Sequence, residues 1–266
     1  MMLTRRAALT GALALAACGR RPAAAPPPRM ESDIRVIPPN FGESHPVDWP
    51  GRTPSQYAVH GIDVSRWQGD IDWRRARAAG VNFAFLKATE GGDRTDPRFL
   101  DYTRGATAAG IVTGPYHFYY FCRPAHEQAA WFIQNVPKMP GALPPVVDLE
   151  WNHLSPTCTL RPPAAEVQAE IGRFVGILAA HYGRRPLIYT TRDFWAETGI
   201  EAIGGERWLR AVTMHPDEAY NDALWHFWQY SGTGIVDGVT GNCDLNCFSG
   251  SAQSWRAWLA ARRQPG

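Results

Sequence analysis

The chain has 266 residues, with 27 Lys and Arg against 25 Asp and Glu, for a formal net charge of +2. Setting aside Arg5 and Arg6 of the N-terminal segment leaves 25 of each sign, so no basic footprint for nucleic acid is present. The 11 Trp, 9 Tyr and 11 Phe include more flat, polar-rimmed rings than a core of this size needs, and sugar-binding clefts use such rings.

The chain opens "MMLTRRAALTGALALAACGR". Arg5 and Arg6 give a positive start, loosely like a twin-arginine export signal, and the apolar run behind them is too short to span a bilayer. It ends at Leu15-Ala16-Ala17-Cys18, which resembles a lipobox, the cleavage signal of bacterial lipoproteins. A plain secretory signal is the alternative. On the lipobox reading residues 1–18 are removed up to Cys18, and that cysteine is acylated. The protein is then exported and held on a lipid membrane, in the periplasm or at the cell surface. Residues 19–55, with "RRPAAAPPPR", lack helical or strand periodicity and read as an extended tether. Residues 56–266 are enough for one domain with a sizeable core.

Through that domain short β-type runs recur, each closing on polar or aromatic residues. They read "VHGIDVSRW", "VNFAFLKATEG", "IVTGPYHFYYF", "PPVVDLEW", "PLIYTT", "WLRAVT", "LWHFWQYS" and "VTGNCDLNCF". Most are continuous apolar runs, as strands covered on both faces are. Helices are predicted over 96–110, 125–136 and 166–181. The last places Val167, Ile171, Phe174, Val175 and Leu178 on one face, after Pro162-Pro163 and before Gly183. From Asp63 through Lys87, His117, Asp148 and Tyr189 the strand ends are spaced 24, 30, 31 and 41 residues apart. These gaps hold a strand and a returning helix, hence parallel βαβ units. From Tyr189 the gaps to Ala211, Trp228 and Asp244 shrink to 22, 17 and 16. The predicted fold is α/β, an irregular (β/α) barrel with helices missing between the last strands. An open doubly wound sheet is the alternative, although no Gly-x-Gly-x-x-Gly follows the first strand.

Of the five cysteines, Cys18 belongs to the signal. In an exported protein the other four are expected as disulfides. Proximity favours Cys243 with Cys247, which leaves Cys122 with Cys158. Without a Cys-x-x-Cys pair or a His-Glu-x-x-His stretch, no metal and no cofactor is expected.

In a β/α barrel, residues at the strand ends meet at the C-terminal mouth. The inventory there is Asp63, Lys87, Glu90, Tyr116, His117, Asp148, Glu150, Tyr189, Gln229 and Asp244. Four carboxylates so placed cannot all ionise cheaply, so repulsion raises at least one pKa. Asp148 and Glu150 stand two apart on one strand and face the same side. Carboxyls on one face, roughly 5–9 Å apart, suit two-carboxylate cleavage of a glycosidic bond. Glu150, longer and beside Trp151, is the expected acid, because an apolar wall raises its pKa; Asp148 is the ionised partner. A strand-end pair neutralised by Lys or Arg is the bland alternative.

Together "GIDVSRWQGDIDW", "FLKATEG", "GPYHFYY", "PPVVDLEW", "WQYS" and "DLNCF" resemble glycoside hydrolase family 25, the lysozymes (N-acetylmuramidases) that cut peptidoglycan. The likeness runs over about residues 57–250, with the motifs in order. It implies a distorted barrel with an acidic cleft at the strand C-termini. By motif it implies Glu150 as acid/base, Asp148 as partner, and Asp63 and Asp244 as further cleft aspartates. Tyr116, His117, Phe118, Tyr189, Trp228 and Gln229 would line sugar subsites, with Phe118 and Phe227 as readily core. Asp148 would steady a reacting N-acetyl group, as in other Asp-x-Glu hexosaminidases, or attack the sugar itself; an inverting route is a third option. A monomer acting on peptidoglycan strands is expected. The rivals are a glycan-binding lipoprotein without catalysis, and a hydrolase of chitin-type oligosaccharides.

Overall fold

The computed structural model describes residues 35–265; Cys18 and the lipobox lie outside the described residues. Eight strands form a closed barrel. They are β1 (His60–Val64), β2 (Val81–Glu90), β3 (Val112–Phe118), β4 (Val146–Leu149), β5 (Leu187–Thr190), β6 (Arg207–Arg210), β7 (Phe227–Ile235) and β8 (Cys243–Phe248). The first six pair in parallel in chain order. Strand β7 joins β6 in parallel, and β8 closes the circle antiparallel to both β7 and β1. Closure excludes the open sheet.

The helices follow the shrinking gaps. Full crossovers carry α1 (Trp73–Ala78), α2 (Phe99–Ala108), α3 (Ala125–Asn135) and α4 (Ala164–Tyr182). After β5 come the short α5 (Arg192–Thr198) and a 3-10 turn (Ile200–Ile203), and after β6 only the single turn α6 (Pro216–Ala219). Between β7 and β8 no helix intervenes, because an antiparallel neighbour needs no crossover. The clean helix in the sequence is α4, capped by Pro163 and ended by Gly183 at φ 68°, the left-handed conformation that favours glycine.

Side chains alternate across each strand into two shells. The inner shell stacks Phe83, Phe85, Val112, Val146, Leu187, Trp208, Phe227 and Phe248, and Trp255 and Leu259 of α7 (Ala252–Arg262) close its base. The barrel is thus a packed plug below and a site only above. Gly61 allows this tightness, since a Cβ there would sit 2.3 Å from the Phe83 carbonyl oxygen. The outer shell sets Ile62, Leu86, Val147, Ile188 and Leu209 against Phe132, Ile171, Phe174, Leu178 and Phe194 of the helices. Each such fully buried Leu, Ile or Phe contributes about 1.5–3 kcal/mol.

Two expectations are corrected. Residues 35–55, read as tether, dock on the barrel as a strap. The Ile37 N–H donates to Asn82 Oδ1 at 2.8 Å, and Asn82 Nδ2 returns a bond to the Ile37 carbonyl. Gly42–Glu43 pairs with the end of β7, and Trp49 packs edge-on against Trp228 at 5.2 Å. Proline-rich composition concealed these few anchors. The second correction concerns the cysteines. Cys122 and Cys158 are bonded, Cα atoms 5.7 Å apart, and tie the loop after β3 to the loop after β4. Cys243 and Cys247 are free and buried. Both lie on the extended strand β8, where four residues cover roughly 13 Å, well beyond the 4.4–6.8 Å a disulfide requires.

Candidate active site

The mouth is built by strand alternation. Inward-pointing positions bring Asp63 (end of β1), Tyr116 (β3), Asp148 (β4), Tyr189 (β5), Gln229 (β7), and Asp244 and Asn246 (β8) above the apolar plug. Asp63 and Asp244 are direct register partners on β1 and β8, so the two ends of the domain deliver adjacent carboxyls.

A chain of hydrogen bonds converges on Asp63. Its Oδ2 accepts from Gln229 Nε2 at 2.9 Å and Asn246 Nδ2 at 2.8 Å. Trp208 Nε1 donates to Asn246 Oδ1 at 2.7 Å; an indole can only donate, so it fixes the amide with its NH2 towards Asp63. Tyr189 OH likewise donates to Gln229 Oε1 at 2.9 Å. Despite these donors, burial lifts the Asp63 pKa to about 6. Burial and then Glu150 raise Asp148 well above the usual carboxylate range. Burial and then Asp63 do the same to Asp244. Glu150, half-buried, is also raised by burial, against Arg210 and Lys87, which favour its anion. Repulsion was the expected cause; loss of water is the larger one in all four.

The supporting side chains sort differently from expectation. Tyr116 and Tyr189 line the mouth, and burial beside the carboxylates raises both phenols well above their ordinary range. Lys87 pairs with Glu90 at 2.6 Å and lies 4.8 Å over the Phe118 ring. Burial opposes the Glu90 charge, yet Lys87, Tyr120 and Arg94 together hold its pKa low. This pair forms one wall rather than two separate contacts.

His117 and Trp228 do not reach the mouth. His117 is fully buried, bonded to Thr89 Oγ1 at 2.7 Å and Gln128 Oε1 at 3.2 Å, and stacked on Phe174 of α4. Trp228 is also fully buried, bonded to the Ala211 carbonyl and packed among Trp49, Tyr57, His215 and Trp225. The reason is alternation: Tyr116 and Gln229 point inward, so their immediate neighbours point outward. Phe227 is inner core, and Phe118 borders the groove. Trp151 packs on Phe121 and Phe194 and borders the same groove as Glu150.

Arg210, Asn246 and Trp208 were missed. Arg210 ends β6 facing Gln229 and favours the anions of Asp63, Glu150 and Asp244. Taking Ala211 as the strand marker placed the inward position one residue late. Asn246 stands two residues after Asp244, on the same face, and could have been found by that spacing.

Residues 62–239 match the model of glycosyl hydrolases family 25. Lysozyme M1 of Streptomyces globisporus is 36% identical over 206 residues, covering 73% of this chain and 69% of that protein. An uncharacterized Escherichia coli K12 protein, YegX, is 34% identical over 215 residues, 78% of this chain and 76% of its own. The solved family 25 glycosyl hydrolase of Bacillus anthracis superimposes with a TM-score of 0.73 at 32% identity, covering 81% of this chain and 99% of that one. The barrel, the carboxylate cluster at its mouth and these likenesses agree: the chain belongs to glycosyl hydrolase family 25, the lysozymes and muramidases, and is a glycoside hydrolase.

Proposed function

We propose that the enzyme is an N-acetylmuramidase that hydrolyses the β-1,4 bond between N-acetylmuramic acid and N-acetylglucosamine in peptidoglycan. The observation that carries this is the pairing of Asp148, on β4, with Glu150, just past its end, in differing surroundings. Glu150 is half-buried and faces the groove with Arg210; Asp148 sits deeper, and its Oδ1 has no hydrogen-bond partner. Glu150 protonates the leaving oxygen, and its raised pKa keeps the proton available in mildly acidic solution. Burial and the Glu150 charge favour a neutral Asp148 in the free protein. Once Glu150 carries the proton that repulsion is gone, and the positive charge developing at the anomeric carbon favours the Asp148 anion that stabilises it. An N–H of the substrate's acetamido group is the natural partner for its open Oδ1, which favours assistance by that group over attack by Asp148. Asp63 and Asp244 hold the remaining negative field, with Asp63 fixed by Gln229 and Asn246. Tyr116 and Tyr189 border the sugar.

Acylation of Cys18 would keep the domain on a membrane within reach of the wall, with the chain from 19 to 34 as the link. Labelled fatty acid incorporated into the wild type but not Cys18→Ala tests that part. For the reaction, purified peptidoglycan is digested and the new reducing ends are identified by mass. Muramic acid ends support the proposal; glucosamine ends, or cleavage confined to chitin oligosaccharides, contradict it.

A further inference from the structure

Two arms of the cleft, one of them bordered by Glu150, differ in charge pairing. One arm runs past Arg66, Lys87, Glu90, Arg94 and Phe118. Three cations there meet two carboxylates, Glu90 and Asp96: Lys87 and Arg94 both face Glu90, and the Arg66 guanidinium lies over the Trp67 ring. The other arm is a groove of about 540 Å3 bordered by Glu150, His153, Arg192, Asp193 and Arg210. Its cations form no direct ion pair. Among the described residues neither Arg192 nor Arg210 has a carboxylate within ion-pair distance. Asp193 is already engaged, accepting from Thr191 Oγ1 at 2.6 Å and lying 3.9 Å from His153. Arg192 is exposed on the rim, shared with a neighbouring groove, while Arg210 is half-buried at the strand end. The acid role of Glu150 requires its neutral form. In that state the arm carries two guanidinium groups against one committed carboxylate.

Arg210 offsets the buried carboxylates Asp63, Glu150 and Asp244, but a neutral glycan gives no reason for a second guanidinium, Arg192, on the same groove without a carboxylate of its own. A carboxylate on the substrate gives one. We propose that the Arg192–Arg210 arm is an anion subsite that reads a carboxylate carried by the muramyl residue. Guanidinium donors suit that group, because their planar fork matches two carboxylate oxygens. The inference rests on the muramidase reading and adds what that reading leaves open, namely how the enzyme tells a muramyl strand from chitin. The carboxylate has two possible sources: the lactyl ether when no peptide is attached, and the acidic residues of the stem peptide when one is.

The test uses the full domain and four soluble substrates. Peptide-free glycan strands are prepared with lactyl carboxyls free or converted to methylamides, and peptide-bearing strands with stem carboxyls free or methylamidated. The readout is the ratio of kcat/KM for each free form over its blocked form. A change in the acid strength of Glu150 affects both members of a pair and cancels. The wild type is expected to prefer at least one free form by about tenfold or more, as a hydrogen bond between charged groups allows. The pair that shows the preference identifies the source. Arg210→Gln, and to a lesser degree Arg192→Gln, should bring that ratio towards one. A wild-type ratio near one for both pairs, or a preference that both variants retain, overturns the subsite. Muramic acid reducing ends in those same digests would leave the muramidase reading standing; their absence would remove it independently.

Discussion

Asp63→Asn should make the protein more stable above neutral pH and less active. Asp63 is almost fully buried, and its pKa rises from 3.8 to about 6 even with two amide donors on Oδ2. That net shift of roughly two units corresponds to about 3 kcal/mol at 1.36 kcal/mol per unit. A raised carboxyl binds its proton more tightly in the folded chain than in the unfolded one. Its stabilising contribution is therefore whole below pH about 4 and is lost as pH rises through about 6. Asparagine keeps an acceptor for Gln229 and Asn246 and never ionises. Wild type and variant should thus unfold at similar temperatures near pH 4 and diverge above pH 6. For a domain of this size about 3 kcal/mol is roughly 6–12 °C in Tm. Asp63 also raises Asp148 and Asp244, so its neutralisation adds in the same direction. His60 and His117, lowered by burial to about 4, pull the other way between pH 6.5 and 4, but they are common to both proteins and cancel. Calorimetry at pH 4 and 7.5 is the assay. An equal difference at both pH values, or a variant less stable at 7.5, would refute the idea that the site holds a costly anion.

Other consequences are quickly checked. Arg210 favours the Glu150 anion, so Arg210→Gln should move the alkaline limb of the kcat profile to higher pH; a limb that stays or falls contradicts that placement. The Cys122–Cys158 bond closes 36 residues, for which the chain-entropy relation gives about 4 kcal/mol; urea unfolding of the double serine variant should show a loss of about 2–4 kcal/mol, and an unchanged midpoint would argue against the bond. Trp228→Ala should cost about 3–5 kcal/mol as a core truncation while leaving KM for soluble oligosaccharides near the wild-type value; a large KM effect with normal stability would restore Trp228 to the cleft. Alkylation of unfolded, unreduced domain lacking the signal segment should label Cys243 and Cys247 only.

The barrel was legible because its strands end on polar residues at spacings that first admit helices and then do not. The placement of Asp148 and Glu150, the proposed catalytic pair, follows from the same pattern, since they share a parity at one strand end. What failed was parity applied to neighbours. Tyr116 with His117, and Trp228 with Gln229, were both assigned to the cleft although adjacent strand residues cannot share a face. Arg210 was passed over by one position in the same way. Nearness in sequence would bring Cys243 and Cys247 together only in a loop; here the chain runs as a strand, and an extended backbone separates near neighbours widely. The strap from 35 to 55 was concealed because its docking depends on partners far along the chain, Asn82 and Trp228 among them.

The division of labour between Glu150 and Asp148 is tested most directly by leaving-group dependence. Glu150→Gln and Asp148→Asn are compared on peptidoglycan and on an aryl glycoside whose dinitrophenolate departs without protonation. Loss of a general acid costs about 10²–10⁴-fold where the proton is needed. Glu150→Gln should therefore be slow on peptidoglycan and recover most of its rate of bond cleavage on the aryl substrate, while Asp148→Asn stays slow on both. Equal loss on both substrates for Glu150→Gln, or recovery by Asp148→Asn instead, would contradict the assignment of the proton to Glu150.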